Sequence, residues 1–455
     1  KRFIIAMIED LVDIRAVVHL SSTAVQTAVG YVDAHSKKLK IMAIGHVNTR
    51  SFFGGSIVDS QELSQAIEAS LKEATDMVSI DFRDVGLSFS TPAMASINGM
   101  SQLNLTNQHY PNPNGRKIVA GDVKRLLDDI EKYFNEKRFA AIQMNVQCMV
   151  LDDSDKMLKN AIGMTANKLT LGYHLNSVPC SYYQQMKGLF AQSGLGIHPA
   201  LFSGVASAEY ALYADEKERG VCFINIGAGS TNVCIYKQNI LLFSHCFDFG
   251  GRTIDERIAK WLNVSLDEAE CLKKEYGTAD PSGVAKREVT TLKRYAHEGE
   301  VVFFIYELCS YIEEEYYRLM DMIFTQIRNR DERFQDYIDS GAGIVLSGGA
   351  TNMNKLDTLI ERKFNINVRK SSQNHTVGLC SKYLNDDNIK LVRARLKDSR
   401  FNDVIGALLY QFGDEFQKYE QLKYFNDEPD GLFHRLKLNK LKTQLSKLNK
   451  LKNWI

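Results

Sequence analysis

Nowhere in the 455 residues is there a run of about 18 uncharged apolar side chains, so the sequence offers no helix able to cross a bilayer. C-x-x-C pairs are missing as well: the eight cysteines, at 148, 180, 222, 234, 246, 271, 309 and 380, are scattered. That leaves no evident zinc site or disulfide framework and fits reduced thiols in a cytosolic protein. The apolar start Lys1-Arg2-Phe3-Ile4-Ile5-Ala6-Met7-Ile8 is cut off by Glu9 and Asp10 too early for a signal peptide. An initiator methionine is missing too, from which a trimmed chain is expected. Acids are absent from the last 25 residues, which carry seven lysines and arginines, so the rest holds 49 basic against 55 acidic residues. A mildly acidic body with a basic tail points to a surface-binding tail and to no nucleic-acid partner. The remainder reads as globular, with 44% hydrophobic and 24% charged residues. A chain this long divides into roughly two to four subdomains.

The apolar pattern alternates over 14–20, 24–32 and 39–45, which predicts a three-stranded meander turning at Ser21-Ser22-Thr23. Asp59 or Ser60 then caps a helix carrying Leu63, Ile67, Leu71 and Ala74 on one face. Strands are expected over 85–105, a loop at 111–115, and a helix from Asp122 with Val123, Leu126, Leu127 and Ile130 inside. Residues 176–196 and 201–213 read as helices. A second meander occupies 221–226, 231–236 and 240–248, helices dominate 252–330, a short strand lies at 344–346, and a helix covers 401–420. The organising feature is the duplication: two meanders about 200 residues apart, each with a small-residue turn after its first strand and each leading into helices. Such a pair of units resembles the actin, heat-shock chaperone and sugar-kinase superfamily, whose halves hold a nucleotide between their turns.

Three segments carry candidate chemistry. In Phe223-Ile224-Asn225-Ile226-Gly227-Ala228-Gly229-Ser230-Thr231, a strand feeds a glycine-rich turn whose backbone N–H groups either cradle phosphate or simply close a tight hairpin. Gly343 to Ala350 contains a buried strand ending in Gly348-Gly349, which either flanks an adenine ring or makes a plain strand-to-helix turn. Glu270 and Lys273 share a helical face, where they either reach ribose and adenine or form a solvated surface pair.

In this order, with Gly250-Gly251-Arg252-Thr253-Ile254-Asp255 after the second meander, these pieces resemble the actin superfamily. Within it the chain resembles the FtsA family of bacterial cell-division proteins over nearly its whole length. The likeness runs through Val29-Gly30, Leu201 to Ala208, Gly220-Val221-Cys222, Ala269 to Lys273, Ile344 to Ala350 and Gly406-Ala407-Leu408-Leu409. It implies an α/β actin-like fold, with duplicated ribonuclease-H-like halves around a nucleotide cleft and an inserted IC subdomain. Laid on this sequence, it implies IA at 1–80 and 168–218, IC at 81–167, IIA at 219–251 and 331–400, and IIB at 252–330. A helix returning to IA at 401–420, a linker at 421–431 and a membrane-targeting helix at 432–455 complete the division. ATP would lie among Ser21, Ser22, Thr23, Gly227, Ala228, Gly229, Ser230, Glu270, Lys273, Gly348 and Gly349. The implied partners are the C-terminal peptide of the tubulin-like protein FtsZ, later division proteins through IC, and further copies of the chain in a filament. Lys293, Arg294 and Tyr295 are the candidates for the FtsZ contact. The chain departs from the family where its phosphate turns carry acids: His19-Leu20-Ser21-Ser22 has neither the acid nor the glycine, and Asn225 stands for aspartate. Mg²⁺ prefers charged oxygens, so ATP binding with doubtful Mg²⁺ dependence and weak or absent hydrolysis is expected.

The tail adds its own signal. Leu438, Leu441, Leu445, Leu448, Leu451 and Ile455 follow a 3, 4, 3, 3, 4 spacing, an apolar stripe on one helical face. Lys440 and Lys447 are among the cations around it, and Trp454 is an interfacial aromatic. This is the composition of a helix lying in the headgroups of an anionic membrane. The other readings are a helix packed on the body and a short coiled coil, and the missing acids disfavour the coiled coil. Together these point to a filament-forming division protein on the cytoplasmic face of the inner membrane. The rival is an actin-fold ATPase of another membrane assembly, such as pilus assembly or the rod-shape cytoskeleton, or a kinase of the same fold.

Overall fold

The computed structural model of the chain describes residues 13–106, 112, 114–293, 300–331, 333–339, 341–372, 376–382 and 384–423. Its first half begins with three antiparallel strands, β1 (Arg15–Leu20), β2 (Ala24–Val32) and β3 (Leu39–Asn48). The helix α1 (Ser60–Val78) follows, its first turn capped by the Asp59 carboxylate, which accepts from the N–H groups of Gln61 and Glu62. Leu63, Ile67 and Ala74 are buried beneath it, as their spacing requires. Then β4 (Asp84–Phe89) returns parallel to β1.

An inserted unit interrupts this half. Strands β5 (Ala95–Asn104), β6 (Phe139–Leu151) and β7 (Lys168–Pro179) form an antiparallel sheet with β7 in the centre. The helix α2 (Ala120–Glu136) lays Val123, Leu126, Leu127 and Ile130 on it, forming a separate small core. The chain re-enters the first half through α3 (Cys180–Gln192) and β8 (Gly196–Phe202), which pairs parallel with β4.

After α4 (Ser203–Ala211) and α5 (Ala214–Arg219), the second half repeats the plan with β9 (Val221–Ile226), β10 (Thr231–Lys237) and β11 (Ile240–Phe247). Helices α6 (Gly251–Leu262), α7 (Leu266–Tyr276), α8 (Ile305–Arg328), α9 (Phe334–Asp339) and α10 (Leu356–Phe364) accompany it, with a hairpin of Val289–Lys293 and Glu300–Phe304 before α8. Strands β12 (Ile344–Ser347) and β13 (Val368–Lys370) complete its sheet. The two sheets have the same order, β8-β4-β1-β2-β3 and β13-β12-β9-β10-β11. In each, the first three strands are antiparallel and the fourth runs parallel to the first. This duplicated plan is the actin-like fold expected from the repeated meanders.

Every residue of β9 is buried, yet period-2 alternation survives in which core each one enters. Val221 and Phe223 join the core shared with the first half, whereas Cys222, Ile224 and Ile226 face α6 and α8. The body ends with β14 (Val377–Leu379), which adds parallel to β3, and with α11 (Asp386–Lys397), α12 (Asn402–Phe412) and α13 (Asp414–Lys423). Val377, Val392, Leu396, Val404 and Leu408 all belong to the first half's core.

Several expectations need correction. Residues 176–196 are not one helix: Asn176 belongs to β7, and α3 begins only at Cys180. If strand pairing defines the inserted unit, it runs over about 95–179 rather than 81–167, because β4 pairs in the first sheet and β7 centres the inserted one. The second-half segment expected over 331–400 ends before β14, which pairs with β3. The helix expected at 401–420 breaks at Gly413 into α12 and α13. The linker and the tail helix lie outside the described residues.

Candidate functional site

Between the two halves lies a cavity of about 1180 Å³. The structure brings Ser21, Ser22, Thr23, Gly227, Ala228, Ser230, Glu270, Lys273, Gly348 and Gly349 to its walls. Gly229, the remaining candidate, instead presses against the opposite turn: a Cβ there would come within 2.6 Å of Ser22 Oγ and 2.9 Å of the Gly54 nitrogen. The two turns therefore meet across the cleft, with Ser90 Oγ 3.5 Å from Ser230 Oγ beside them.

The first turn is partly closed on itself. Ser21 Oγ accepts from the Ala24 N–H at 3.1 Å and donates to the Ala24 carbonyl at 2.8 Å, a local hydroxyl-to-backbone arrangement. Ser22 Oγ accepts the Gly54 N–H at 3.2 Å. In the second turn, Gly227 donates to the Ser230 carbonyl at 2.9 Å. The carbonyls of Gly227 and Ala228 accept the first N–H groups of α6, from Gly251 and Arg252, both at 2.9 Å. The Gly348-Gly349 turn separates its glycines by role. Gly348 has φ +91°, and a side chain there would strike Asn225 Oδ1 and the Ile226 carbonyl. A Cβ on Gly349 meets nothing within 4 Å.

Glu270 and Lys273 both face the cavity from α7 but do not pair with each other. Glu270 takes Lys274 Nζ at 2.6 Å, which together with Lys273 and Arg252 holds its carboxyl below the usual range. Lys273 is buried, donating to the Gly251 carbonyl at 3.0 Å and lying 2.6 Å from Asp255 Oδ1. Burial pushes the Asp255 carboxyl up, against the pull of Lys273. Tyr316 of α8, fully buried, closes this end by donating to the Ala350 carbonyl at 3.1 Å.

At the floor the two halves present matching positions. His19 on β1 is registered with Gln26 and Ser88, and Asn225 on β9 with Asn232 and Ser347. Between these equivalent positions stands Asp403, from the first turn of α12. Its Oδ1 accepts from Asn225 Nδ2 at 2.9 Å, and its Oδ2 lies 3.5 Å from His19 Nε2. A carboxylate only accepts, so the proton sits on Nε2, and Nδ1 accepts from the Ser88 hydroxyl at 3.2 Å. Burial pushes the His19 pKa down, outweighing the opposing pull of Asp403, and the ring is neutral at neutral pH. Asp403 was not among the candidate residues. It lies 178 residues beyond Asn225, and its surroundings in sequence carry no turn or strand signal that would place it here. Among the described residues, no three His, Cys, Asp or Glu side chains are grouped to hold a metal directly.

Of the partner candidates, Lys293 ends the first strand of the hairpin, whereas Arg294 and Tyr295 lie outside the described residues. The membrane candidates Leu438, Leu441, Leu445, Leu448, Leu451, Trp454, Ile455, Lys440 and Lys447 lie outside them too.

The sequence model described as "Cell division protein FtsA" matches residues 222–390. A cell-division protein FtsA of Buchnera aphidicola subsp. Baizongia pistaciae is 24% identical over 375 residues, covering 82% of this chain and 85% of the relative. One from Pseudomonas aeruginosa is 23% identical over 350 residues, covering 77% and 81%. The chain is similar to these FtsA cell-division proteins and has an actin-like fold. Among solved structures, the chain resembles one titled "PilM-PilN type IV pilus biogenesis complex", with TM-score 0.55 and 15% identity, over 88% of this chain and 98% of that one. That likeness bears on the fold alone. No described helix is long and apolar enough to cross a membrane.

Proposed function

We propose that this FtsA-like protein polymerises on the inner face of the cytoplasmic membrane, where residues 432–455 hold it, and links the FtsZ ring to that membrane at the division site. On this reading it binds ATP in the interdomain cavity, takes the FtsZ C-terminal peptide on the α6–α8 body around Lys293, Arg294 and Tyr295, and meets later division proteins through the inserted unit. The observation that supports it is the pairing of two equivalent turns across one cavity, in a chain similar to cell-division proteins. Hydrolysis is expected to be weak or absent, because neither turn carries an acid and His19 and Asn225 are neutral. Phosphoryl transfer relies on charge held in position. Turnover on the order of 1 per second or faster, as in ordinary kinases, would contradict this.

Electron microscopy of the purified protein on anionic lipid monolayers, with and without ATP, tests the reading. Lipid-bound filaments are expected; a protein that stays dispersed and off the lipid overturns it. The cavity is tested separately with Gly349→Leu, which fills open space without backbone strain. It should abolish ATP binding in calorimetry while leaving the melting curve intact. Gly348→Trp is a poorer probe, since its side chain would displace the turn itself. The pilus-type fold likeness keeps an ATPase motor as the second reading. Fast turnover without lipid binding would favour it.

A further inference from the structure

The floor of the cleft carries acceptors as well as the donors of His19 and Asn225. Besides the Asp403 carboxylate, the residues Gln26 and Asn232 line the same cavity, and their Oε1 and Oδ1 atoms are buried with no hydrogen-bond partner among the described residues. The Gln26 orientation is fixed, since its Nε2 donates to the Arg400 carbonyl at 3.0 Å and a flip would set oxygen against oxygen. Asn232 Nδ2 is engaged by Ser90 and Ser203 at 3.3 and 3.2 Å. Buried polar atoms are seldom left unmatched, so these oxygens call for donors.

Nearby cations do not supply them. Lys273 is held by Asp255, Arg252 lies against Glu270, and Arg400 is held by Asp398. Asp403 has two neutral neighbours, His19 and Asn225, which orient its carboxylate without cancelling its charge. A bare triphosphate set on this floor would bring negative oxygens against a carboxylate and two amide oxygens. A hydrated divalent cation between them reverses the mismatch, because its waters are donors. Mg²⁺ keeps several waters and needs only one or two protein carboxylates when phosphates supply the other ligands. The donor set therefore fits a water-clad cation carried by a nucleotide, and does not fit a cage of direct protein ligands.

We propose that Asp403 replaces, from a different element, the carboxylates that the two turns lack. It stands between the two equivalent strand positions and holds the hydrated divalent cation of a bound nucleoside triphosphate, with Gln26 and Asn232 accepting from its water shell. The role is in binding, not in proton transfer, and rests on the nucleotide reading above. It makes nucleotide binding Mg²⁺-dependent despite His19 and Asn225.

Calorimetry of ATP with the full chain, in Mg²⁺ and in EDTA, tests this. Wild type should bind ATP about 10- to 100-fold more tightly with Mg²⁺, the loss typical when a group supporting a metal's ligands is removed. Asp403→Asn should erase that advantage, and Asp403→Glu should keep part of it. Absence of ATP binding in both conditions overturns the nucleotide reading itself. Equal affinities for wild type in Mg²⁺ and EDTA, or an undiminished advantage in Asp403→Asn, overturn the assignment of Asp403 alone. If Asp403→Asn fails to fold by its melting curve, Gln26→Leu decides: a smaller Mg²⁺ advantage supports the proposal, and an unchanged one overturns it.

Discussion

The exchange of acid for neutral side chain at Asn225 has a consequence that only its contact reveals. Asn225 donates to Asp403 at 2.9 Å, so Asn225→Asp would replace a donor with a like charge. A hydrogen bond to a charged group contributes about 1.5–3 kcal/mol, and losing it should lower the denaturation midpoint accordingly. Adding Asp403→Asn to Asn225→Asp returns one donor and one acceptor to the pair, and should recover most of the loss in a double-mutant cycle. Placing an acid at position 225 is thus not a neutral change in this chain. A second residue-scale effect sits at the junction of the inserted sheet with β11. His174 is buried, with Nδ1 donating to Asn98 Oδ1 and Nε2 lying beside Ser244 Oγ, both at 2.7 Å. Burial lowers its pKa from 6.5 to about 4. Between those values the unfolded chain binds a proton that the native chain refuses, so stability is full above pH 6.5 and falls as pH drops toward 4. The loss reaches about 3 kcal/mol for this group. His174→Gln should flatten that acid-side slope in urea midpoints measured from pH 7 to 4; an unaltered slope would mean that other groups set it.

Elements differ in how plainly the sequence announced them. The meanders were legible because turns of serine, threonine and glycine punctuate alternating strands, and because the pattern occurs twice. α1 was legible from Asp59 and its 3–4 spacing. β7 was missed although Leu169, Leu171, Tyr173 and Leu175 alternate with Thr170, Gly172, His174 and Asn176; its polar residues are buried as well. It also runs straight into α3, which begins at the residue after Pro179. Asp403 was invisible for another reason: it reaches the floor through the packing of α12, and no local pattern encodes a contact across half the chain. That packing is itself tight. α4 and α12 cross where Gly406 lies against the Ala206 carbonyl, and a Cβ at 406 would overlap it. Helix backbones approach this closely only over a glycine. Gly406→Val should therefore force the helices apart, costing at least the 1–3 kcal/mol typical of overpacking, and should also weaken ATP binding by displacing Asp403. A melting temperature within a degree of wild type would show that the crossing yields more easily than its geometry implies.

In the whole molecule, the proposed membrane-binding segment follows the last described helix in sequence. The described chain ends in α13, whose Tyr419 donates to Glu131 of α2 at 2.7 Å and whose Lys423 lies 2.7 Å from the same carboxylate. Glu420 of α13 meets His198 on β8 at 3.0 Å. α13 thus ties the inserted unit to the first half at the point from which the chain leads to residues 432–455. We expect those residues to act as the sole anchor. Their stripe from Leu438 to Ile455 supplies apolar area, and seven cations without an acid supply attraction to anionic lipid, each about 1 kcal/mol near such a surface. The two contributions respond differently to conditions. Salt screens the cations within a Debye length of about 8 Å at physiological strength, whereas it leaves apolar insertion largely intact. Removing 432–455 should release the protein from anionic vesicles at all salt concentrations. Leu441→Glu with Leu445→Glu should release it nearly as fully while all seven cations remain in place, because acids on the apolar face cannot enter the headgroup boundary. Raising salt on the intact protein should weaken binding without abolishing it. Vesicle sedimentation distinguishes the cases, and a truncated protein that still sediments at physiological salt would place the anchor elsewhere on the body.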